Sequence, residues 1–248
     1  MQISNNATLT QVVQEYSKLA DAFRFRKRWN EMSEEELWGE LCLCILSSNV
    51  PYELALSAFE HLRSDQFLKT ERIIECPDAA QSIAIELSRQ IYSPKRKDGS
   101  FRKYRFPNIR ATNIVKAAKT LYEEGPALTW ILMNCTSEHE TRDLLVENIH
   151  GIGLKEASHF LRDIGYSNSL AIIDSHVIAF LAELGAIPAN KANVVTPSLY
   201  TRLERVLQNL CADLGVNLSI FDMSIWQYMR GKSERRSLCW LLAEWTLL

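Results

Sequence analysis

The sequence predicts an all-α fold. Apolar residues recur three and four positions apart in most segments, and no segment alternates convincingly between apolar and polar residues. Start and stop signals delimit these segments, since Ser33 and Glu36 form a capping box and Gly125-Pro126 ends a long helical pattern. The 248 residues are 47% hydrophobic, enough for one large domain or two small ones. We therefore expect about ten or eleven helices and no internal repeat.

Most of the expected helices are bounded by a cap, a proline or a glycine. Ser33, Pro51 and Pro77 precede the first three apolar patterns. Gly165 and Gly185 close two of the later ones. In chain order, the expected helical segments are 33–45, 51–62, 77–87, 108–124, 141–149, 155–164, 175–184, 197–214, 219–229 and 238–248.

The composition is that of an ordinary globular protein. Charged residues make up 23% of the chain and the formal net charge is −2, so the overall charge does not indicate a nucleic-acid partner. No apolar run approaches the roughly 18 residues that span a bilayer, and the N-terminus does not resemble a secretory signal. The six cysteines lack the spacing of a metal or cluster site, and we expect reduced, buried thiols.

The segment from Gly151 to Lys155 is the most informative about function. Gly151 and Gly153 permit a tight turn, and a helix then begins with Lys155 in its first turn. Free amides at a helix N-terminus can hold a phosphate, and a neutral lysine can attack a sugar carbon and form an imine. Apolar residues occupy one face of this helix, so Lys155, His159 and Arg162 are expected on the opposite side, with Lys155 presented outward toward a cleft or solvent.

Asp174 lies nineteen residues after Lys155 and precedes a further helix. Each residue has an ordinary explanation when taken alone: Lys155 fits a surface lysine in a glycine-rich turn, and Asp174 fits a helix N-cap. Together they place an amine and a carboxylate at two helix starts, beside a turn that suits a phosphate. This combination favours chemistry at the sugar of a DNA nucleotide.

The run from Asn148 to Leu181 resembles the helix-hairpin-helix, Gly/Pro-and-aspartate (HhH-GPD) superfamily of DNA glycosylases. Within it, Lys155, Asp174 and His176 are similar to the pattern of the 8-oxoguanine DNA glycosylase/AP lyases. Two flanking segments are similar more loosely: 40–49 looks like a helix that ends at a strand-wedging asparagine, and 221–232 looks like the end of the short microbial type-2 branch. The resemblance implies a multi-helix fold of two subdomains with a DNA-binding cleft between them.

This resemblance also implies how the chain is divided. Residues 1–248 would form a single glycosylase unit, with a central helical subdomain over about 35–145 and a hairpin-bearing subdomain made of 1–34 and 146–248. Residues 233–248 would add a C-terminal helix. This extension departs from the microbial branch, and so does His150, which stands where family hairpins often carry proline.

The resemblance implies a role for each matching residue. Lys155 would attack C1′ of the damaged nucleotide and become the Schiff base, and Asp174 would stabilise positive charge on the sugar. His176 would contact a phosphate near the lesion. The hairpin amides around Gly151 and Gly153 would hold the backbone on the other side.

Three further groups of residues follow from the same resemblance. Asn49 would fill the space left by the extruded base, while Asp222 and Trp226 would line the base pocket. No cofactor is implied apart from a structural Na⁺ or K⁺ at the hairpin. Its ligands would be the backbone carbonyls of Glu147, Ile149 and Ile152.

A DNA enzyme with a net negative charge must concentrate its cations locally. The strongest basic segment, 95–106, combines a glycine turn with interleaved aromatic residues, which suits phosphate contacts with some stacking. A second cluster lies at 24–28, and both also fit ordinary solvated surface. The DNA-binding residues expected in the first segment are Lys95, Arg102, Lys103 and Arg105.

We therefore expect a bifunctional DNA glycosylase/AP lyase of base excision repair that acts on 8-oxoguanine in double-stranded DNA. It is expected to be a cytoplasmic, nucleoid-associated monomer without membrane contact. Three alternatives stay open: a glycosylase of the same superfamily with another lesion, a non-catalytic DNA-binding module, and a scaffold built around the C-terminal tail. The lack of a downstream four-cysteine cluster argues against the endonuclease III-like branch.

Overall fold

The computed structural model describes residues 6–23, 28–187 and 196–234. Within these ranges there are twelve α-helices, and the extended pairing is a bridge between Tyr92 and Arg102. The all-α fold class is therefore confirmed. In chain order the helices are α1 (Asn6–Phe23), α2 (Glu34–Ser47), α3 (Tyr52–Ser64), α4 (Thr70–Glu75), α5 (Ala79–Leu87), α6 (Pro107–Lys119), α7 (Leu128–Asn134), α8 (Glu138–Asn148), α9 (Leu154–Asp163), α10 (Ser175–Glu183), α11 (Pro197–Leu214) and α12 (Leu218–Glu234).

The helices expected between residues 33 and 229 are confirmed, with shifts of a few residues at their ends. The predicted capping box of α2 is present: Ser33 Oγ accepts from the Glu36 amide at 3.2 Å, and the Ser33 amide donates to Glu36 Oε2 at 2.7 Å. The sequence prediction omitted α1, α4 and α7. The helix expected at 238–248 lies outside the described residues.

The chain divides into two compact units. The first, here called the hairpin unit, is Arg28–Tyr166 and holds α2 to α9. The second, here called the terminal unit, is formed by the described parts of Met1–Lys27 and Ser167–Leu248 and holds α1 and α10 to α12. The subdomain boundaries expected near residues 34 and 145 differ from these limits and stay predictions, as does the cleft.

The central helix of the hairpin unit is α2. Consecutive residues from Leu41 to Leu46 are buried, because α3, α6, α7 and α9 all pack against this helix. Glu34 in its first turn accepts from the amides of Leu128 and Thr129 at 2.8 and 2.9 Å, and so caps α7. The core thus fixes α2 and, with it, the loop that follows its C-terminal end.

The terminal unit is organised around α12, which packs against α1, α10 and α11. Phe180 of α10 and Phe221 of α12 are fully buried and meet edge to face, with ring centroids 6.2 Å apart. The amide of Asn217 just before α12 donates to the hydroxyl of Tyr16 on α1 at 3.1 Å. These contacts fix α10, and therefore the residue that begins it.

Two findings bear on the composition. The cysteines of the described residues form no disulfide, and burial raises the pKa of the Cys42 and Cys44 thiols, so these two are protonated. Of the free cysteines in the described residues, Cys42, Cys44 and Cys211 are buried, and Cys76 and Cys135 are partly buried.

Across residues 6–23, 28–187 and 196–234, no helix is both long and apolar enough to cross a bilayer.

Candidate active site

The turn between α8 and α9 is the hairpin that the sequence predicts. Ile149 ends α8 in an extended conformation, and Gly151 follows with a φ of +91°, a left-handed geometry that favours glycine. A Cβ placed on Gly151 would lie 2.7 Å from the Cβ of Asn113, so α6 closes the space on this side of the turn. Gly153 is the N-cap of α9. The turn is therefore held by the packing of the hairpin unit.

Lys155 lies in the first turn of α9, as the sequence predicts. Its side chain is 32% exposed, and Nζ lies 3.7 Å from Oε1 of Glu156. The residues of the predicted apolar stripe are fully buried, which confirms it: Ala157, Phe160, Leu161 and Ile164. The amine is therefore carried by a rigid helix start and remains accessible to solvent.

The two other residues expected opposite the apolar stripe of α9, His159 and Arg162, turn toward Asp163. His159 Nε2 lies 3.0 Å from one carboxylate oxygen, and Arg162 Nη2 lies 3.0 Å from the other. Arg162 is only 8% exposed. Arg162 is therefore buried, because the neighbouring carboxylate provides a partner for its guanidinium inside the fold.

Glu156 was not singled out from the sequence, yet it joins three parts of this site. Its Oε2 accepts from the Gly153 amide at 3.4 Å, and its Oε1 accepts from the Ser48 hydroxyl at 2.8 Å. Burial alone would raise the pKa of this carboxyl, but Lys155, Ser48 and backbone amides outweigh burial and hold the pKa below its ordinary value. The side chain is thus a partly buried, ionised carboxylate beside the lysine.

Asn49 follows α2 at an exposed turn, with a φ of +58°. A left-handed conformation is uncommon for a residue other than glycine, although asparagine tolerates it better than most. The preceding residue, Ser48, is buried, and its carbonyl accepts from Nη2 of the buried Arg110 at 2.6 Å. The exposed amide side chain is thus presented from an anchored turn.

Asp174 is the N-cap of α10. Its Oδ1 accepts from the amides of His176 and Val177, both at 2.9 Å. The capping role that the sequence indicates is therefore present. In the described part of the chain these bonds fall on Oδ1, which leaves Oδ2 for other contacts.

Asp222 and Trp226, the expected pocket residues, both lie on α12. Asp222 is 2% exposed, and its Oδ2 accepts from the Ile172 amide at 2.8 Å, so it fixes the segment that enters α10. The ring of Trp226 meets that of His176 edge to face at 6.2 Å, and the Arg230 guanidinium lies 4.9 Å from the Trp226 centroid. The terminal unit therefore brings the predicted phosphate ligand His176 against the predicted stacking residue.

The basic segment 95–106 is an ordered turn. Arg102 pairs its backbone with that of Tyr92, and its Nε donates to the Pro94 carbonyl at 2.7 Å, so this side chain holds the turn itself. Lys95 Nζ lies 4.5 Å from the centroid of the exposed Phe101 ring. Of the second basic cluster, residues 24–27 lie outside the described residues. The exposed cations in the first segment include Lys103 and Arg105.

Comparison with known proteins decides the family. A family model described as 8-oxoguanine DNA glycosylase matches residues 19–216, well over half of the chain. The chain belongs to the 8-oxoguanine DNA glycosylase family. A relative from Saccharolobus islandicus, named 8-oxoguanine DNA glycosylase/AP lyase, is 34% identical over 200 residues, which cover 80% of this chain and 85% of the relative. A relative of the same name from Korarchaeum cryptofilum is 32% identical over 209 residues, 84% of this chain and 87% of its own length.

Solved structures of this glycosylase family share the fold. The 8-oxoguanine DNA glycosylase of Methanocaldococcus jannaschii is 28% identical, with a TM-score of 0.69 over 91% of this chain and 95% of that one. The glycosylase/lyase of the same organism in complex with a 15mer DNA containing 8-oxoguanine gives a TM-score of 0.65 at 27% identity, over 90% of this chain and 89% of that one.

The family resemblance implies a monovalent cation at the hairpin, and two of its three expected ligands lie at the end of α8. Glu147 lies in the last turn of α8 and Ile149 is its C-cap. Carbonyls at a helix C-terminus lack intrahelical partners and lie at the negative end of the helix dipole. Hard carbonyl oxygens are the donor type that Na⁺ or K⁺ prefers, and the cation itself, with Ile152 as its third ligand, stays a prediction.

Proposed function

We propose that this protein is a bifunctional DNA glycosylase/AP lyase that excises 8-oxoguanine from duplex DNA and then cleaves the strand at the abasic site. The observation that carries the proposal is the accessible amine of Lys155 in the first turn of the second hairpin helix. Membership of the 8-oxoguanine DNA glycosylase family supports the substrate, and the names of the relatives support both activities.

The reaction uses Lys155 as the nucleophile. The lone pair of its neutral amine bonds to C1′ while the electrons of the C1′–N9 bond leave with the base, which takes up a proton. The nitrogen loses one proton, and the C1′–O4′ bond then breaks as the nitrogen lone pair forms the C=N bond. O4′ leaves with the bonding electrons and takes up a proton, which gives the protonated imine. The protonated imine acidifies the C2′ proton. Removal of this proton expels the 3′ phosphate by β-elimination. Strand cleavage therefore follows from the same covalent bond.

Asp174 stabilises the positive charge that develops on the sugar as the base departs. Its capping bonds use Oδ1, so they orient the carboxylate and leave Oδ2 for the substrate. A cap and a catalytic carboxylate are thus compatible in one side chain.

The DNA contacts distribute over several elements. A damaged base must be flipped out of the stack at a cost of a few kcal/mol, which a wedge and phosphate contacts offset. We assign the wedge to Asn49 and phosphate contacts to His176 and the hairpin amides around Gly151 and Gly153. Charge attraction comes from Lys95, Arg102, Lys103 and Arg105, and the base pocket is assigned to Asp222 and Trp226.

The hairpin cation is assigned a structural role. When bound to the carbonyls of Glu147, Ile149 and Ile152, it would fix the turn whose amides hold phosphate. Replacing K⁺ by tetramethylammonium at constant ionic strength is expected to weaken binding of abasic DNA and to lower the melting temperature. Equal affinity and equal melting temperature in both salts would rule out a cation at the hairpin.

The decisive experiment is borohydride trapping on duplexes that contain one 8-oxoguanine. The wild-type protein is expected to give a covalent adduct and Lys155→Gln to give none. Lys69→Gln, which removes a lysine at the start of α4, is the matched control and should trap normally. If the wild type gives no adduct with 8-oxoguanine or abasic DNA, the non-catalytic binding module becomes the better explanation.

A panel of single-lesion duplexes tests the lesion preference. Excision of 8-oxoguanine should exceed that of other oxidised purines and of oxidised pyrimidines, and a reversed order would point to a glycosylase for another lesion. Deletion of residues 236–248, which lie outside the described residues, tests whether the tail takes part. Unchanged excision after this deletion would assign the tail a role outside catalysis.

A further inference from the structure

Glu156 links the lysine to the loop that carries Asn49. Its Oε1 accepts from Ser48 Oγ at 2.8 Å and lies 3.7 Å from Lys155 Nζ, while its Oε2 accepts from the amide that begins α9. The two linked residues, Ser48 and Glu156, are 108 positions apart in the chain. One carboxylate therefore spans two separate parts of the hairpin unit.

Ser48 is held from two sides. Its hydroxyl donates to Glu156, and its carbonyl accepts from Arg110 Nη2 at 2.6 Å. Ser48 is 7% exposed and Arg110 is 8% exposed, so the Arg110–Ser48 bond is buried, and a broken polar contact there is costly. The Ser48–Glu156 bond is partly buried. The next residue, Asn49, has a left-handed backbone conformation. Such a conformation is kept only where the contacts around it hold the backbone in place.

The reaction makes two geometric demands at once. The wedge must enter the space of the extruded base, and the amine must come within about 3–3.5 Å of C1′. A rigid link between the Asn49 loop and the start of α9 would place both the wedge and the amine correctly on the same bound DNA. The bonds of Glu156 connect these two elements.

Building on the proposed function, we infer that Glu156 is a positioning residue that couples the Asn49 loop to Lys155 through Ser48. Insertion of the wedge then sets the position of the amine. Loss of the Ser48–Glu156 bond uncouples the two events, so it impairs reaction at a lesion in duplex DNA more than reaction at a sugar that is already exposed.

Two substrates separate these events. Single-turnover excision on an 8-oxoguanine duplex requires the wedge, whereas borohydride trapping on a single-stranded abasic oligonucleotide does not. The measured quantity is the ratio of the two rates. We expect this ratio to fall about tenfold in Ser48→Ala and in Glu156→Ala, the equivalent of about 1.4 kcal/mol for one hydrogen bond to a charged group.

Coupling predicts how variants combine. The double variant should show no larger fall than Glu156→Ala alone, whereas independent effects would multiply to about a hundredfold. Glu156→Gln keeps an acceptor oxygen for the Ser48 hydroxyl, so it should retain most of the wild-type ratio. Fluorescence of 2-aminopurine beside the lesion, which reports unstacking, should rise more slowly in Ser48→Ala than in the wild type.

The capping box of α2 offers matched controls. Ser33→Ala and Glu36→Ala remove the same pair of groups at the other end of that helix, and they should lower stability without changing the ratio. Three outcomes would each overturn the inference. The first is a ratio in Ser48→Ala within about twofold of wild type, and the second is a double variant in which the two falls multiply. The third is an equal fall of the ratio in Glu156→Gln and Glu156→Ala. Absence of any adduct with the wild type would instead defeat the proposed function.

Discussion

The side chain of Asn113 on α6 occupies the space that a side chain at Gly151 would need. Asn113 is 6% exposed, so it has little room to move aside. Two independent features therefore require glycine at position 151: its φ of +91° and its close contact with Asn113. The second hairpin glycine, Gly153, is different, because a Cβ there would meet Glu156 Oε2 at 3.6 Å, an ordinary contact distance.

We expect Gly151→Ala to lower the free energy of unfolding by about 2–4 kcal/mol. A left-handed alanine costs about 1 kcal/mol or more, and overpacking adds about 1–3 kcal/mol. Gly153→Ala is the matched control and should change stability by at most about 1 kcal/mol. Urea unfolding of both variants measures the difference, and equal losses at the two glycines would contradict the packing explanation.

Asp174→Asn separates capping from catalysis. Asparagine caps a helix about as well as aspartate, so the melting temperature should barely change, while excision should slow by about a hundredfold or more because the charge is lost. Asp174→Ala should lose the same activity and about 1 kcal/mol of stability as well. The control is Thr196→Ala, which removes the N-cap of α11 and should affect stability alone. Normal excision by Asp174→Asn would reduce Asp174 to a cap.

Most helices with a full apolar period could be predicted from the sequence, whereas the two shortest, α4 and α7, could not. Helices α4 and α7 span only six and seven residues, too few to show an amphipathic repeat. The long helix expected at 108–124 instead ends at Lys119 and continues as a π-helical turn, Thr120–Glu124. Propensity does not reveal such a widening, because it depends on local packing.

The candidate site was predictable where it is local in sequence. The glycine turn places Lys155 in a first turn, and the N-cap pattern places Asp174 at a helix start. The Ser48–Glu156 bond was out of reach, because nothing in a single sequence pairs residues 108 positions apart. A glutamate three residues after a glycine N-cap does indicate capping, and it was the available signal for Glu156.

Lys103 tests the electrostatic part of DNA binding. It is exposed and lies beside Arg102, which holds the turn through the Pro94 carbonyl. Lys103→Gln should weaken binding of any duplex and reduce the slope of log affinity against log salt by about 1, without a change in melting temperature. Arg102→Gln should reduce the slope and also loosen the turn. An unchanged slope in Lys103→Gln would place this residue outside the DNA contact.

Glu156 predicts how stability depends on pH. Burial would raise its pKa, but Lys155, the Ser48 hydroxyl and backbone amides together hold the pKa below its ordinary value. A carboxyl with a depressed pKa contributes stability that is fully present above its unfolded pKa, about 4.3, and is lost as the pH falls through its folded pKa. Acidification below about pH 4.3 should therefore remove this contribution.

Glu156→Gln isolates that contribution, because glutamine does not titrate. Its unfolding free energy should fall less steeply than that of the wild type below about pH 4.3, so the two curves converge in acid and stay a constant distance apart above that pH. Urea unfolding across this range measures both curves, with Glu123→Gln as a control at an exposed carboxylate. Parallel curves for wild type and Glu156→Gln would mean that the carboxylate gains nothing from its partners in the folded state.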